Sequence, residues 1–488
     1  MRALRPYQDK AVQSLAQSLR TGHKHPLLML PTGGGKTLTA AHIVQRALDK
    51  GNRVTFCVPT ISLIDQTVQA FWDEGIRDVG VIQADHPMTN AWRPVQVASL
   101  QTLGRRDRPS TDLVIVDEAH QVFKAVPEWM AAEPDLRFVG LSATPWTIGL
   151  GKIYDDLIVA ARMTELIEAG YLSKFRVFAP SHPDLSGVHV RAGDYAEDEL
   201  ADAMSKPEIT ADVVKTWLAL AENRPTLVFG VNRAHAQQLH RDFEAAGVAS
   251  AYIDAYTDRH ERDAVRRSFH DGDIRVVCNI GTLTVGIDWD VRCLVLARPT
   301  KSEALYQQIV GRALRVAEGK EDALILDHSD TTLELGFVTD IHHDILSTGT
   351  RRENSGSGKD KTPRKPKECP ACHRLKPVGI HVCPSCGFAP VHVAEIEVHE
   401  GELVQMKGRK APDDMATKQI WYSGLLWIAK DRGYKSGWAA QKFKVKFGVW
   451  PAHSLSEVHQ PPPMAVRNWV KAQAIAWAAV QKKSQHAA

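Results

Sequence analysis

Short apolar runs alternate with helical patterns through the first 350 residues. Residues 27–30, 53–58, 95–98, 113–116 and 138–141 are near-continuous apolar runs of strand length, with helical stretches such as 37–49 and 62–74 between them. Runs without polar alternation predict strands buried on both faces, and intervening helices predict a mostly parallel sheet. A second series repeats the pattern, with strands predicted at 226–229, 251–253, 276–279, 293–297 and 323–326 and helices at 234–246, 261–270 and 302–316. Two successive layers of similar size predict two similar α/β lobes, at 1–165 and 207–349, joined by a less regular connector over 166–206 that holds Pro180 and Pro183. Residues 350–367 are rich in Gly, Ser, Pro and charge and read as a flexible linker. A cysteine cluster at 368–390 and a basic, aromatic-rich segment at 391–488, read as mainly helical, complete the chain.

Composition narrows the class. With 488 residues, 44% apolar and 24% charged, the chain is an ordinary globular protein of about three domains, not a disordered or disulfide-scaffold one. It has no apolar run long enough for a membrane span, and its first residues lack a signal-peptide core, so a cytoplasmic location is expected. The net charge of +3 hides an asymmetry. Residues 1–350 carry 37 basic and 46 acidic residues, a net of −9, whereas residues 351–488 carry 23 and 11, a net of +12. A basic segment with interleaved aromatics suits a polyanion such as nucleic acid.

The sequence Pro31-Thr32-Gly33-Gly34-Gly35-Lys36-Thr37 follows a predicted strand and opens a predicted helix. Glycines let backbone N–H groups turn around phosphate oxygens, and the helix N-terminus adds partial positive charge. Lys36 would then reach the β- and γ-phosphates of ATP and Thr37 would ligate Mg²⁺. Strict P-loop spacing asks for glycine at Leu30, so the loop is a variant. Asp117-Glu118-Ala119-His120 closes another strand. Asp117 is expected to hold the magnesium through water and Glu118 to polarise the attacking water. In the second lobe Gln308, Arg312 and Arg315 share one helix face at i, i+4, i+7, which would aim two guanidiniums at a phosphate.

Together these residues resemble superfamily 2 helicases and translocases of the DEAD/DEAH-box type. Arg5-Pro6-Tyr7-Gln8 resembles the adenine-reading opening motif and Pro31–Thr37 motif I. Pro59-Thr60 with Leu63 and Gln66 resembles motif Ia, and Ser99-Leu100-Gln101-Thr102 the strand-contacting motif after it. Asp117–His120 matches motif II, Ser142–Thr144 motif III, Thr226–Val231 motif IV and Gln308–Arg315 motif VI. Gly281-Thr282 with Gly286-Ile287-Asp288 resembles motif V, although Val285 stands where many relatives carry Glu. The resemblance implies two RecA-like lobes with ATP between them. Thr32, Gly33, Gly34, Gly35, Lys36, Thr37, Asp117, Arg5 and Gln8 on the first lobe, and Gly286, Asp288 and Gln308 on the second, would hold the nucleotide. Lys36, Glu118, Arg312 and Arg315 would act in hydrolysis. It further implies unwinding of single-stranded or branched DNA in replication, recombination or repair, alongside protein partners of those processes. Alternatives are a duplex translocase, an RNA helicase, and the motor of a restriction or defence complex.

Cys369-Pro-Ala-Cys372 and Cys383-Pro-Ser-Cys386 are paired CxxC turns ten residues apart, the spacing of a four-thiolate structural Zn²⁺ ribbon. His373 and His381 read as bystanders. Such a short ribbon has little core of its own, so metal is expected to drive its folding. Cys57, Cys278 and Cys293 read as reduced core residues. From Trp421 to Trp450, Lys and Arg interleave with aromatics. That pattern suits DNA contact, and it equally suits a helical domain with a tryptophan core and solvated lysines. The stretch resembles tails of phage and prophage helicases.

Overall fold

The structure is a computed structural model that describes residues 1–83, 86–191, 193–281, 283, 289–349, 365–390 and 414–485. Gly286, Asp288 and Val285 of motif V lie outside the described residues, as do 350–364 of the predicted linker. Contacts divide the chain into two units, 1–392 and 393–488.

The first lobe opens with α1 (Pro6–Arg20) and continues through β1 (Pro26–Met29), α2 (Lys36–Leu48), β2 (Val54–Val58), α3 (Ile64–Asp73), β3 (Val79–Ile82), β4 (Val95–Ser99), α4 (Leu100–Leu103), β5 (Leu113–Asp117), α5 (Ala125–Ala132), β6 (Arg137–Ser142) and β7 (Asp156–Val159). Its seven strands are parallel in the order β3-β4-β2-β5-β6-β1-β7. The five predicted strands are the five central ones. Their buried runs, such as Pro26–Met29 and Val54–Val58, are covered on both faces. The two strands not predicted, β3 and β7, are the edges. β7 is only half-buried along its length, although residues 157–159 are apolar.

After α6 (Met163–Glu168) the chain enters the predicted connector. There β8 (Lys174–Phe178) joins the second sheet as its edge, and β9 (Val190–Arg191) and β10 (Asp194–Tyr195) form a small hairpin. The second lobe continues with α7 (Glu197–Met204), α8 (Pro207–Leu220), β11 (Thr226–Phe229), α9 (Arg233–Ala245), β12 (Ser250–Ile253), α10 (Arg259–Asp271), β13 (Val276–Asn279), β14 (Cys293–Leu296), α11 (Glu303–Ala313), β15 (Asp322–Asp327) and α12 (Thr331–Leu335). Its parallel order is β12-β13-β11-β14-β15-β8. Two parallel sheets with helices on their faces are the two RecA-like lobes expected from the sequence.

Beyond α12 the chain returns to the first lobe. Phe337, Val338 and Ile341 pack in the second lobe's core, while Leu346 packs with Leu150 and Tyr154 of the first. The Ser347 carbonyl accepts hydrogen bonds from Gly149 N (3.0 Å) and Gly151 N (2.9 Å), and Arg162 pairs with Asp344 at 2.8 Å.

A hairpin of β16 (Lys367–Glu368) and β17 (Leu375–Lys376) carries the cysteine cluster. It is built onto the second lobe instead of standing apart. Leu375 is buried in that lobe's core, Arg374 bridges to Phe178, and Ala179 N donates to His373 O at 3.0 Å. The ribbon thus borrows the apolar core that its own length cannot supply.

The second unit packs α13 (Met415–Asp431), α14 (Trp438–Phe447) and α15 (Met464–Gln485) around Tyr422, Leu425, Phe443 and Val466. Its aromatics are largely structural. Trp421 meets Phe447 and Trp469 edge-on, both at 5.8 Å. Lys444 lies over the half-exposed Trp450 at 4.5 Å and Lys446 over Trp421 at 4.6 Å.

Candidate active site

Sheet order positions the site. β5, β6 and β1 are consecutive in the first sheet and all parallel, so their C-terminal ends lie side by side. Asp117-Glu118 follows β5, Ser142–Thr144 follows β6, and the glycine loop follows β1. Leu30 stays within the strand geometry, fully buried with its N–H on Ser142 O at 3.0 Å. The tight turn therefore starts at Pro31, whose carbonyl accepts from Gly34 N at 2.8 Å. Gly33 and Gly35 have φ of 83° and 79°, left-handed values that glycine adopts without a Cβ clash. Gly35 also caps α2, which puts Lys36 and Thr37 at the helix N-terminus.

Lys36 reaches across to motif II. Its ammonium lies 2.9 Å from Asp117 Oδ1 and also binds Glu118 Oε1. Burial opposes its charge, but the two carboxylates outweigh burial and hold its pKa above the ordinary value. Burial pushes the Asp117 carboxyl up despite Lys36. Burial acts the same way on Glu118, yet Lys36 and His120 prevail and its pKa is lowered. Glu118 is also held at φ 49°, a conformation that costs a non-glycine residue on the order of 1 kcal/mol or more. Its Oε2 is buried and accepts no hydrogen bond within the described protein. His120 Nδ1 stands 3.4 Å from that oxygen, an ion pair when the ring is protonated. Asp117 and the Thr37 hydroxyl are hard oxygen donors of the kind a magnesium ion takes.

A relay leaves motif II. His120 Nδ1 meets Ser142 Oγ at 3.0 Å, and Ser142 Oγ accepts from Thr144 N at 3.0 Å. Gln308 Nε2 from the second lobe reaches both His120 Nε2 and Thr144 Oγ1 at 3.3 Å. The predicted nucleotide-binding Gln308 is thus placed on the interlobe link. Arg312 is buried and close enough to Glu118 to lower its pKa.

Arg315 requires a correction. α11 ends at Ala313, so the shared helix face holds for Gln308 and Arg312 only. Arg315 instead forms a β-bridge with Leu172, and Lys320 Nζ donates to the carbonyls of Ala313, Arg315 (2.8 Å) and Val291 (2.7 Å). Those bonds take up the carbonyls that another helical turn would have used. The Arg315 side chain still lies at the glycine loop, with Cγ 3.4 Å from where a Cβ on Gly33 would stand.

At the loop's other side, Gln8 Nε2 donates to Gly34 O at 2.9 Å while its Oε1 accepts from Arg5 N at 2.9 Å. One buried side chain therefore caps α1 and pins the loop. Tyr7 also donates to Gly34 O, at 2.7 Å. Tyr171, from the connector, lies under the Arg5 guanidinium at 4.8 Å and beside Tyr7 at 5.4 Å. Neither Tyr171 nor Lys320 stands out in the sequence, because each is an isolated residue whose role depends on a distant partner. Thr32 packs directly on Gly311, where an added Cβ would stand 2.5 Å from Thr32 Cβ. Gly311→Ala is accordingly expected to push α11 off the glycine loop. ATP turnover should fall at least tenfold with the melting temperature little changed, which turnover and calorimetry on the purified variant would check.

The four cysteines form a second site. Cys369–Cys386 and Cys372–Cys383 sulfur pairs are both 3.7 Å apart, and all four sulfurs lie within 4.8 Å. A tetrahedron with bonds of about 2.3 Å has edges of about 3.8 Å, so the thiols fit a four-coordinate metal. The two turns match: His373 N donates to Cys369 O at 2.8 Å and Gly387 N to Cys383 O at 2.9 Å. Burial alone would raise the Cys383 thiol, but backbone N–H groups of Cys386 and Ser385 bring it down to about 6. His373 is spent on Glu368 at 2.6 Å, which leaves it a bystander. Among the described residues no other group of three or more His, Cys, Asp or Glu could hold a metal. No described helix is long and apolar enough to cross a membrane. Cys57, Cys278 and Cys293 are fully buried and free.

Comparison with known proteins agrees with this geometry. Residues 2–147 match the type III restriction enzyme res subunit family, and residues 206–317 match the helicase conserved C-terminal domain. A 51.5 kDa protein of Lactococcus phage (isolate 7-9) is 28% identical over 406 residues, covering 78% of this chain and 84% of that protein. The Saccharomyces cerevisiae protein IRC3, classed by its name among ATP-dependent helicases, is 29% identical over 360 residues, 66% of this chain; the chain spans only 51% of IRC3. Among solved structures, a fragment of an HsdR subunit of a type I restriction enzyme from Vibrio vulnificus YJ016 shares the fold. Its TM-score is 0.52 at 19% identity, covering 73% of this chain and 66% of that one.

Proposed function

This chain belongs to the superfamily 2 helicases, and from that membership we propose that it is an ATP-driven DNA motor that moves along and unwinds single-stranded or branched DNA. The observation that carries the reading is the meeting of Lys36, Asp117 and Glu118 with Gln308 and Arg312 across one gap between two lobes. Each lobe supplies part of one hydrolytic site, so closing and opening of the lobes can be tied to turnover.

The residues divide the work. The N–H groups of the glycine loop and the Lys36 ammonium bind the phosphates of ATP, and Lys36 leaves the carboxylates to do so. Magnesium, when held by Thr37 and Asp117, supplies charge neutralisation between the β- and γ-phosphates. Glu118 orients a water through its unspent oxygen, and Arg312 and Arg315 offset the charge that grows on the γ-phosphate. His120, Ser142, Thr144 and Gln308 pass the state of Glu118 to the second lobe. Zn²⁺ in the four-thiol site would shape the ribbon, not the reaction, because all four donors are protein sulfurs. The basic second unit, with lysines over Trp421 and Trp450, supports a DNA contact there as well. A role in replication, recombination or repair is part of this reading.

ATP turnover with no nucleic acid, single-stranded DNA, duplex, forked DNA and RNA in parallel is the test. Stimulation at least tenfold by single-stranded or forked DNA is expected, and stimulation by RNA alone would overturn the DNA reading. Stimulation by duplex alone would instead mark a translocase that serves a restriction complex. The res-subunit match favours that second reading, in which a partner would supply the nuclease.

A further inference from the structure

A groove of about 1060 Å³ lies at the β3 edge of the first lobe. In the sheet order, four strands separate that edge from β1 and its glycine loop. Arg53, Arg105, Arg106 and Arg108 line the groove, against a single acid, Asp107. Trp92 also lines it and is 87% exposed; among the described residues no large apolar side chain is more exposed.

The arginines differ in what they already do. Arg53 ties the walls together, donating to Ser110 O at 3.0 Å and to Ala91 O at 2.8 Å. Arg108 lies over the Trp129 ring at 5.8 Å. Arg105 is exposed, and its guanidinium has no hydrogen-bond or ion-pair partner among the described residues. Arg105 and Arg106 follow α4 directly, and α4 with Ser99 carries Ser99–Thr102, the segment whose sequence resembles a strand-contacting motif.

We propose that this groove is a second single-stranded nucleic-acid site, outside the cleft, which stacks a base on Trp92 and pairs backbone phosphates with Arg105 and Arg106. An exposed indole offers a flat face that any unpaired base can cover, and guanidiniums lining the same groove can pair with the phosphates of one strand. A duplex is disfavoured because its bases are already stacked and show the protein only their edges. The inference rests on the DNA-motor reading and adds a place for strand that the cleft does not hold.

The test uses the full chain with a short and a long fluorescent oligothymidylate, in anisotropy titrations over a salt series. Trp92→Ala should weaken binding of the long strand on the order of tenfold, the range for loss of one stacked base. Arg105→Ala with Arg106→Ala should lower the slope of log affinity against log salt by about 1.4, the single-strand value for two phosphates. Short-strand affinity and ATP turnover at saturating DNA should stay as in the parent. Unchanged long-strand affinity and slope in both variants would overturn the proposal. Equal loss on short and long strands would also overturn it, by placing these residues on the motor's own track. So would loss of binding to a polyglutamate peptide with DNA binding intact, which would make the groove a protein-docking surface. If the parent bound neither oligonucleotide, the DNA-motor reading itself would fall.

Discussion

Glu118→Gln cripples turnover and leaves ATP binding in place: kcat is expected to drop by about 10³, the middle of the range for losing a positioned acid–base group. The substitution keeps the side chain's size and its hydrogen bond from Lys36, but removes the charge that polarises water. Asp117 remains to balance Lys36, so the glycine loop should keep its shape. The backbone strain at φ 49° is the same for Gln, so stability should shift little. Turnover assays with a fluorescent-nucleotide titration would separate the two effects. A variant that kept a tenth of parental turnover would remove Glu118 from the chemistry. The pH profile adds a second readout. Glu118 is held below the ordinary carboxylate range, chiefly by Lys36 against the effect of burial, so it stays ionised through mildly acidic conditions. Burial acts in the opposite sense on an imidazole and lowers the His120 pKa, so the ring is mostly neutral at pH 7. The acid limb of the parent's kcat/KM profile, which reports the nucleotide-free enzyme with Lys36 on the carboxylates, should therefore fall below pH 6.5, and neither group should produce a limb at that pH.

What the sequence disclosed follows from which signals are local. Buried parallel strands write themselves as unbroken apolar runs, so β1, β2, β4, β5 and β6 were legible, as were their counterparts in the second lobe. Edge strands β3, β7 and β8 were not: β3 is a short run broken by Gly80, β7 is only half-buried, and in β8 the polar residues Lys174 and Arg176 enter the run. The sequence motifs pointed to Lys36, Asp117 and Glu118 as neighbours because each follows a buried strand or opens the next helix, and the structure brings the three together. Arg315 shows the limit of periodicity. An i, i+7 relation to Gln308 survives only if the helix lasts, and the Leu172 bridge and Lys320, both distant in sequence or unremarkable by type, end it at Ala313. Tyr171 escaped for the same reason: its place beside Arg5 and Tyr7 depends on a connector folding back over the first helix.

Metal removal should reach well beyond the ribbon. The four thiols hold β16 and β17 in place, and β17 lends Leu375 to the second lobe's core while Arg374 covers Phe178 on the edge strand β8. His182 adds a tie, with Nδ1 on Asp330 at 2.7 Å and Nε2 on Glu368 at 3.0 Å. Four sulfurs closed to 3.7 Å without metal would repel as thiolates, so the hairpin cannot persist when zinc leaves. Exposing Leu375 alone forfeits about 2 kcal/mol of burial. The lost bridge and ion pair bring the total to roughly 3 kcal/mol, which for a unit of this size lowers the melting temperature by about 4 °C. Cys386→Ser is the suitable variant, because Cys386 is exposed and its replacement disturbs no packing except through the metal. The parent should carry one zinc per chain and the variant far less, with the variant melting lower and aggregating through the uncovered edge of β8. Chelation of the parent, followed by restored magnesium, should reproduce the shift. A variant that lost its zinc yet melted at the parental temperature would show that the ribbon is only attached to the motor and does not help hold the second lobe together.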